Sequence, residues 1–163
     1  MLIGRKKQQA ELLEAYNSDD SRFVALYGRR RVGKTYLIKQ TFKDKFTFSH
    51  SGLANGSLQE QLYGWRSSLE NAGYVAPSTP KHWLEAFDML KELIRQSSAK
   101  KKVVFIDEMP WMIRLGLSLS RLWSFSGMDG LPCETTSCSL FAVLLHPGLS
   151  IRSSEIMADF IIV

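Results

Sequence analysis

The stretch Gly28-Arg29-Arg30-Arg31-Val32-Gly33-Lys34-Thr35 fits the pattern G-x-x-x-x-G-K-[ST]. It constrains the fold more than any other feature, because such a loop works only between a strand and a helix. The loop has to curl so that successive backbone N–H groups point inward at a phosphate. The helix after it has to present its positive N-terminal end. Both flanks are present: residues 22–27 are a short apolar β-type segment, and residues 36–42 place apolar side chains at helical spacing. Gly28 and Gly33 allow backbone conformations and close approach that a Cβ would hinder. Residues 28–35 are therefore the candidate phosphate-binding loop. Lys34 is expected to reach the β- and γ-phosphates of a nucleotide, and the Thr35 hydroxyl to ligate Mg²⁺.

A second signature lies seventy-odd residues further on. Val103-Val104-Phe105-Ile106 is a run of four apolar residues, and it ends in the adjacent acids Asp107 and Glu108. An apolar run of this length reads as a strand buried on both faces of a parallel sheet. Its C-terminal end belongs beside the phosphate loop, since ligands sit at that edge of open α/β sheets. Asp107 is expected to hold the metal, directly or through water. Glu108 is placed to polarise an attacking water as general base.

The remaining segments alternate helices and strands around these two. Residues 5–16 read as an amphipathic helix, ended by turn formers at 17–21. The helix after the phosphate loop runs to about Lys43, and residues 46–49 read as a second strand. Ser57 and Glu60 form a capping box opening a helix with Leu58, Leu62, Trp65 and Leu69 on one stripe, and Gly73 stops it. Trp65 reads as core. A further helix has Thr79 as N-cap, Pro80 in first position, and Trp83, Phe87, Leu90 and Ile94 along one face to about Gln96. His82 reads as a surface residue.

Composition narrows the class. At 163 residues the chain suits one domain, and 45% hydrophobic with 23% charged residues is ordinary for a globular protein. No apolar run reaches the ~18 residues of a membrane span, and Met1-Leu2-Ile3-Gly4-Arg5-Lys6-Lys7 lacks a signal peptide's apolar core, so a cytoplasmic location is expected. Cys133 and Cys138 make no metal pattern without further ligands. The net charge of +5 is concentrated in Arg29-Arg30-Arg31 and Lys100-Lys101-Lys102, the second reading as a solvated loop. Such charge suits a nucleotide or nucleic acid.

Taken together, Leu2-Ile3-Gly4-Arg5, residues 26–35, the Trp83-Leu84-Glu85-Ala86-Phe87 helix and residues 104–111 resemble the prokaryotic archaeal-type ATPases. These are AAA+-related P-loop proteins with a glutamate after the Walker B aspartate. The resemblance covers residues 1–112. It implies an α/β fold, a mostly parallel sheet flanked by helices, with ATP and Mg²⁺ as cofactors and hydrolysis driving conformational change. It also implies that Ile3-Gly4-Arg5 lies near the adenine, and that a further strand sits between the P-loop and Walker B strands. Family members are longer, with a winged-helix region and commonly a nuclease-like C-terminal domain. The resemblance leaves room for DNA as a partner at the level of the family. No guanine-reading Asn-Lys-x-Asp motif occurs, which favours adenine.

After Met112 the chain changes character. Residues 113–163 contain no Lys, Asn, Gln or Tyr, although the first 112 contain 11 Lys, and nine of the 51 are Ser. Ile113, Leu115, Leu117 and Leu119 alternate as a strand would. Read one base out of frame, the stretch after Met112 can give D-T-P-R-S followed by S-A-L-E-x-F-W-N, as the family would show. Residues 136–147 can give an apolar strand, and 156–163 can give N-H-G-G-L-H-N-R. Residues 113–163 are therefore expected to be a frame-shifted, non-native tail on a truncated ATPase module. Poor packing is expected after Trp111, with residues 140–145 the sole strand, filling the gap between the other two. Turnover is expected near background. The rival functions are a nucleotide-dependent binding switch with little hydrolysis, and a basic nucleic-acid-binding module using Arg29-Arg30-Arg31.

Overall fold

The computed structural model describes residues 5–19, 22–27, 31–116, 138–144 and 160–162. In chain order they form α1 (Lys6–Asn17), β1 (Arg22–Tyr27), α2 (Lys34–Thr41), β2 (Phe46–Ser51), α3 (Leu58–Asn71), α4 (Trp83–Gln96), β3 (Lys102–Asp107), α5 (Met109–Ile113), β4 (Cys138–Leu144) and β5 (Phe160–Ile162). The five strands make one sheet in the order β2-β3-β4-β1-β5. Every pairing in it is parallel. Parallel neighbours require crossovers, and the helices that supply them cover both faces.

Alternation along the strands divides the core in two. Val104 and Ile106 of β3 and Ala25 of β1 pack with Trp65, Leu69, Trp83, Phe87 and Leu90 from α3 and α4. Val103 and Phe105 of β3 and Val24 and Leu26 of β1 pack on the other face with Leu12 of α1 and Leu37 and Ile38 of α2. β3 is buried along its whole length, as its unbroken apolar run predicts. A register irregularity between Phe46 and Phe48 sends these two rings of β2 to opposite faces.

β4 occupies the place expected for the strand between the P-loop and Walker B strands, pairing with β3 and β1. β5, on the far side of β1, was not expected. Residues 113–115 are not a strand: Ile113 closes the short helix α5, and residues 114–116 turn. Nor is packing poor at once, since Met112 is fully buried and the Leu115 carbonyl accepts a 3.3 Å bond from Trp83 Nε1. Leu117 and Leu119 lie outside the described residues.

Two local readings also change. The N-cap of α4 is His82, not Thr79: its Nδ1 accepts the Glu85 N–H at 3.2 Å, while the Glu85 carboxylate accepts the Lys81 N–H at 2.8 Å. The 100–102 lysines are not simply solvated. Lys102 is buried in β3, and the Lys101 ammonium donates to the carbonyls of Asn17 and Ser18 at 2.8 Å each, closing the C-terminal end of α1. Among the described residues, no helix is long and apolar enough to cross a membrane.

Candidate nucleotide site

The C-terminal ends of β1, β2 and β3 share one edge of the sheet, and the sequence-predicted residues converge there. Gly28, Arg29 and Arg30 lie outside the described residues. Arg31 and Gly33 both adopt positive φ, 61° and 81°, as the loop turns into α2. A Cβ on Gly33 would meet nothing within 4 Å, so glycine is required there by backbone conformation and not by crowding. Gly33 is the N-cap of α2, and its carbonyl accepts the Leu37 N–H at 2.9 Å. Lys34 and Thr35 therefore open the helix, where backbone N–H groups are left for an anion. Val32 is exposed, and its carbonyl accepts a hydrogen bond from the Arg5 guanidinium. The Arg5 segment thus reaches the phosphate loop.

Thr35 and Asp107 meet directly. The Thr35 hydroxyl donates to Asp107 Oδ2 at 2.8 Å, joining the start of α2 to the end of β3 across 72 residues of sequence. The other carboxylate oxygen of Asp107 accepts the Glu108 N–H at 2.9 Å. Lys34 is buried beside them. Burial and the nearby Arg5 charge lower its pKa, against the opposing pull of Asp107 and Glu108. Glu108, the N-cap of α5, sits in the left-handed region at φ 53°, ψ 34°.

A cleft of about 800 Å³ opens over this cluster. Its lining brings together Arg31, Gly33, Lys34, Thr35 and Glu108, all expected from sequence. Tyr36, Gly52, Ala54, Asn55 and Trp111 complete it and were not expected. Gly52 carried a signal that could have been read, since a lone glycine after a strand often marks close backbone approach. Its N–H donates to the Asp107 carbonyl at 3.0 Å, and a Cβ there would lie 2.7 Å from the Glu108 carbonyl oxygen. Tyr36 carried none, and Trp111 closed the family-like stretch 104–111 without a role being read for it.

Mg²⁺ takes oxygen donors, commonly one or two carboxylates with the balance from phosphates and water. The Thr35 hydroxyl and Asp107 carboxylate supply such a pair. Among the described residues there is no cluster of three or more acidic, His or Cys side chains, and this chemistry does not need one.

Comparison with known proteins agrees with the geometry. Residues 20–142 match a family described as an AAA domain. An uncharacterised protein of Methanocaldococcus jannaschii is 22% identical over 158 residues, 97% of this chain and 32% of the relative. An uncharacterised ATP-binding protein of the same organism is 42% identical over 45 residues, 28% of this chain and 76% of the relative. In three dimensions the ORC2 protein of Aeropyrum pernix, solved as ADPNP–ADP complexes, superposes with a TM-score of 0.55 at 18% identity, covering 88% of this chain and 41% of that one. The chain thus spans about a third of the first of these relatives. Its fold, phosphate loop and acidic strand end agree with the family match, and the chain belongs to the archaeal-type AAA+ P-loop ATPases.

Proposed function

We propose that this chain binds Mg²⁺·ATP at the β1–β3 edge and that its residues are arranged for hydrolysis of the terminal phosphate. The observation that carries the reading is the Thr35–Asp107 contact at 2.8 Å, with Lys34 buried alongside and Glu108 next in the chain. Lys34 would hold the β- and γ-phosphates as a charge-assisted donor. Thr35 and Asp107 would hold the metal, whose chemistry is to neutralise charge on the transferred group. Glu108 would take a proton from the attacking water. The family membership supports the nucleotide, and adenine is favoured over guanine by the absence of an Asn-Lys-x-Asp reader in the sequence.

Titration calorimetry tests the reading. Mg²⁺·ATP should bind the wild-type chain, and Lys34→Ala should weaken binding by about 2–3 kcal/mol, as expected for loss of a charge-assisted contact. Equal affinity in the two proteins would remove the phosphate-loop assignment. A nucleotide switch that hydrolyses little is the second reading. It is favoured by the strained backbone of Glu108, which partner binding could release.

A further inference from the structure

We propose that Gln61 is the positioning residue for Glu108, acting through the backbone of Leu53 and Gly52. The inference rests on the site reading above, in which Glu108 activates water.

Gln61 sits in the first turns of α3 and is completely buried, an unusual place for an amide side chain. Both ends of the amide are used on one residue: Oε1 accepts the Leu53 N–H at 2.9 Å, and Nε2 donates to the Leu53 carbonyl at 2.7 Å. A side chain that closes both backbone groups of a single loop residue fixes that peptide as a neighbouring strand would. Leu53 follows Gly52, whose N–H donates to the Asp107 carbonyl at 3.0 Å. Gly52 also packs so closely beneath the Glu108 carbonyl that an added Cβ would lie 2.7 Å from that oxygen. The chain of contacts therefore runs from α3 through two loop residues to the peptide joining Asp107 to Glu108.

That peptide needs a support. Glu108 holds φ 53°, a left-handed conformation in which a non-glycine residue is strained. Such a residue persists only where its surroundings hold it. Its N–H bond to Asp107 Oδ1 holds one side, and Gly52 lies against the other. Were Leu53 released, Gly52 would be free to leave, and the Glu108 backbone could relax out of the cleft.

The same loop faces two ways. Gly52, Ala54 and Asn55 line the nucleotide cleft, whereas Leu53 lines a groove of about 780 Å³ bounded by Leu58, Tyr63 and Pro80. Gln61 thus fixes the wall between the two.

Native-state amide exchange on the wild-type chain tests the proposal without nucleotide. The amides of Gly52, Leu53 and Glu108 should open as one unit, with protection equal within about twofold as denaturant is raised. Gln61→Met, which keeps the volume and removes both bonds, should speed exchange at all three by about tenfold or more while Leu69 and Leu90 keep their protection. Gln61→Glu retains the acceptor for the Leu53 N–H and should fall between. Because turnover of this chain is expected close to background, the second readout is binding: Gln61→Met should leave the Kd for Mg²⁺·ATP by calorimetry changed less than about twofold, as a residue that places Glu108 and not the phosphates requires. Glu108 exchanging independently of Leu53, or unchanged in Gln61→Met, would overturn the proposal. Failure of the wild type to bind Mg²⁺·ATP would instead remove the site reading, and the exchange data would still decide whether Gln61 holds Glu108.

Discussion

Glu108 combines a strained backbone with a place in the lining of the cleft, and the two demands can be separated by substitution. Glu108→Gln retains shape and hydrogen bonding and removes the base. It should abolish any phosphate release above background while leaving Mg²⁺·ATP affinity by calorimetry within about twofold. Turnover of the wild-type chain itself should be close to background, because a partner arginine in related chemistry contributes ~10³–10⁵ in rate and the isolated chain has no partner to supply it. Robust steady-state phosphate release would contradict that picture. His50 offers a second test at the scale of one side chain. It is buried against Phe48 and Trp65, with Nδ1 bonded to Ser68 Oγ at 2.9 Å and, among the described residues, no hydrogen-bond partner for Nε2. Burial pushes its pKa down to about 4. The unfolded chain takes up the proton near the ordinary value of 6.5, so stability is full above that pH and falls as pH drops towards 4. By pH 5 the loss should be about 2 kcal/mol. Urea midpoints between pH 7 and 5 should show this slope in the wild type and lose most of it in His50→Leu. An equal slope in both would assign the effect to other groups.

The helices show how far local signals reach. Ser57 and Glu60 stand at the spacing of a capping box, and both of its bonds form, Ser57 N–H to Glu60 Oε2 at 2.8 Å and Glu60 N–H to Ser57 Oγ at 3.3 Å. Ser57→Ala should cost about 1 kcal/mol, measurable as a lowered melting temperature with nucleotide affinity unchanged. Gly73, at φ 92°, follows α3 as its position suggested. Thr79-Pro80 carried an equally good start signal and misled. The Thr79 hydroxyl is instead held by Arg66 at 3.3 Å and Pro80 is buried, so the chain runs on until the His82 ring accepts the Glu85 N–H and the Glu85 carboxylate the Lys81 N–H. Tertiary contacts decided between two adequate caps, and no local pattern contains them. The residues of the site divide in the same way. Lys34, Thr35, Asp107 and Glu108 were legible because phosphate and metal chemistry dictates their types and spacing. Gln61 was not, since it acts on backbone that only the fold brings near, while Gly52 offered a signal that went unread and Arg5 was expected near the site without its bond to Val32.

Across the whole molecule, a strand between β1 and β3 followed from the resemblance, while the place of β2 at the sheet edge, β5 and α5 did not. The compositional break at Met112 calls for a test on the gene. We propose that residues 113–163 are translated one base out of frame. Adding one base after the Met112 codon should open a frame beginning D-T-P-R-S and continuing past G-G-L-H-N-R, whose product is larger, soluble and able to hydrolyse ATP. A stop codon in that frame within the region would make the tail native. The family match, which runs on to residue 142, would then have its ordinary meaning. Either way, the position of β4 has a consequence for how the protein is made. Its partners β1 and β3 are both complete long before it: Arg22 pairs with Ser139, and Lys102 with Cys138. At roughly 5–20 residues per second, β1 waits about 6–22 s on the ribosome for its neighbour. For the last part of that interval, the roughly 2–6 s in which residues 108–138 are added, two apolar strands have open edges facing one another, the geometry most prone to capture by another nascent chain. Slow codons between β3 and β4 should therefore lower soluble yield, and coexpressed holdase chaperones should restore it.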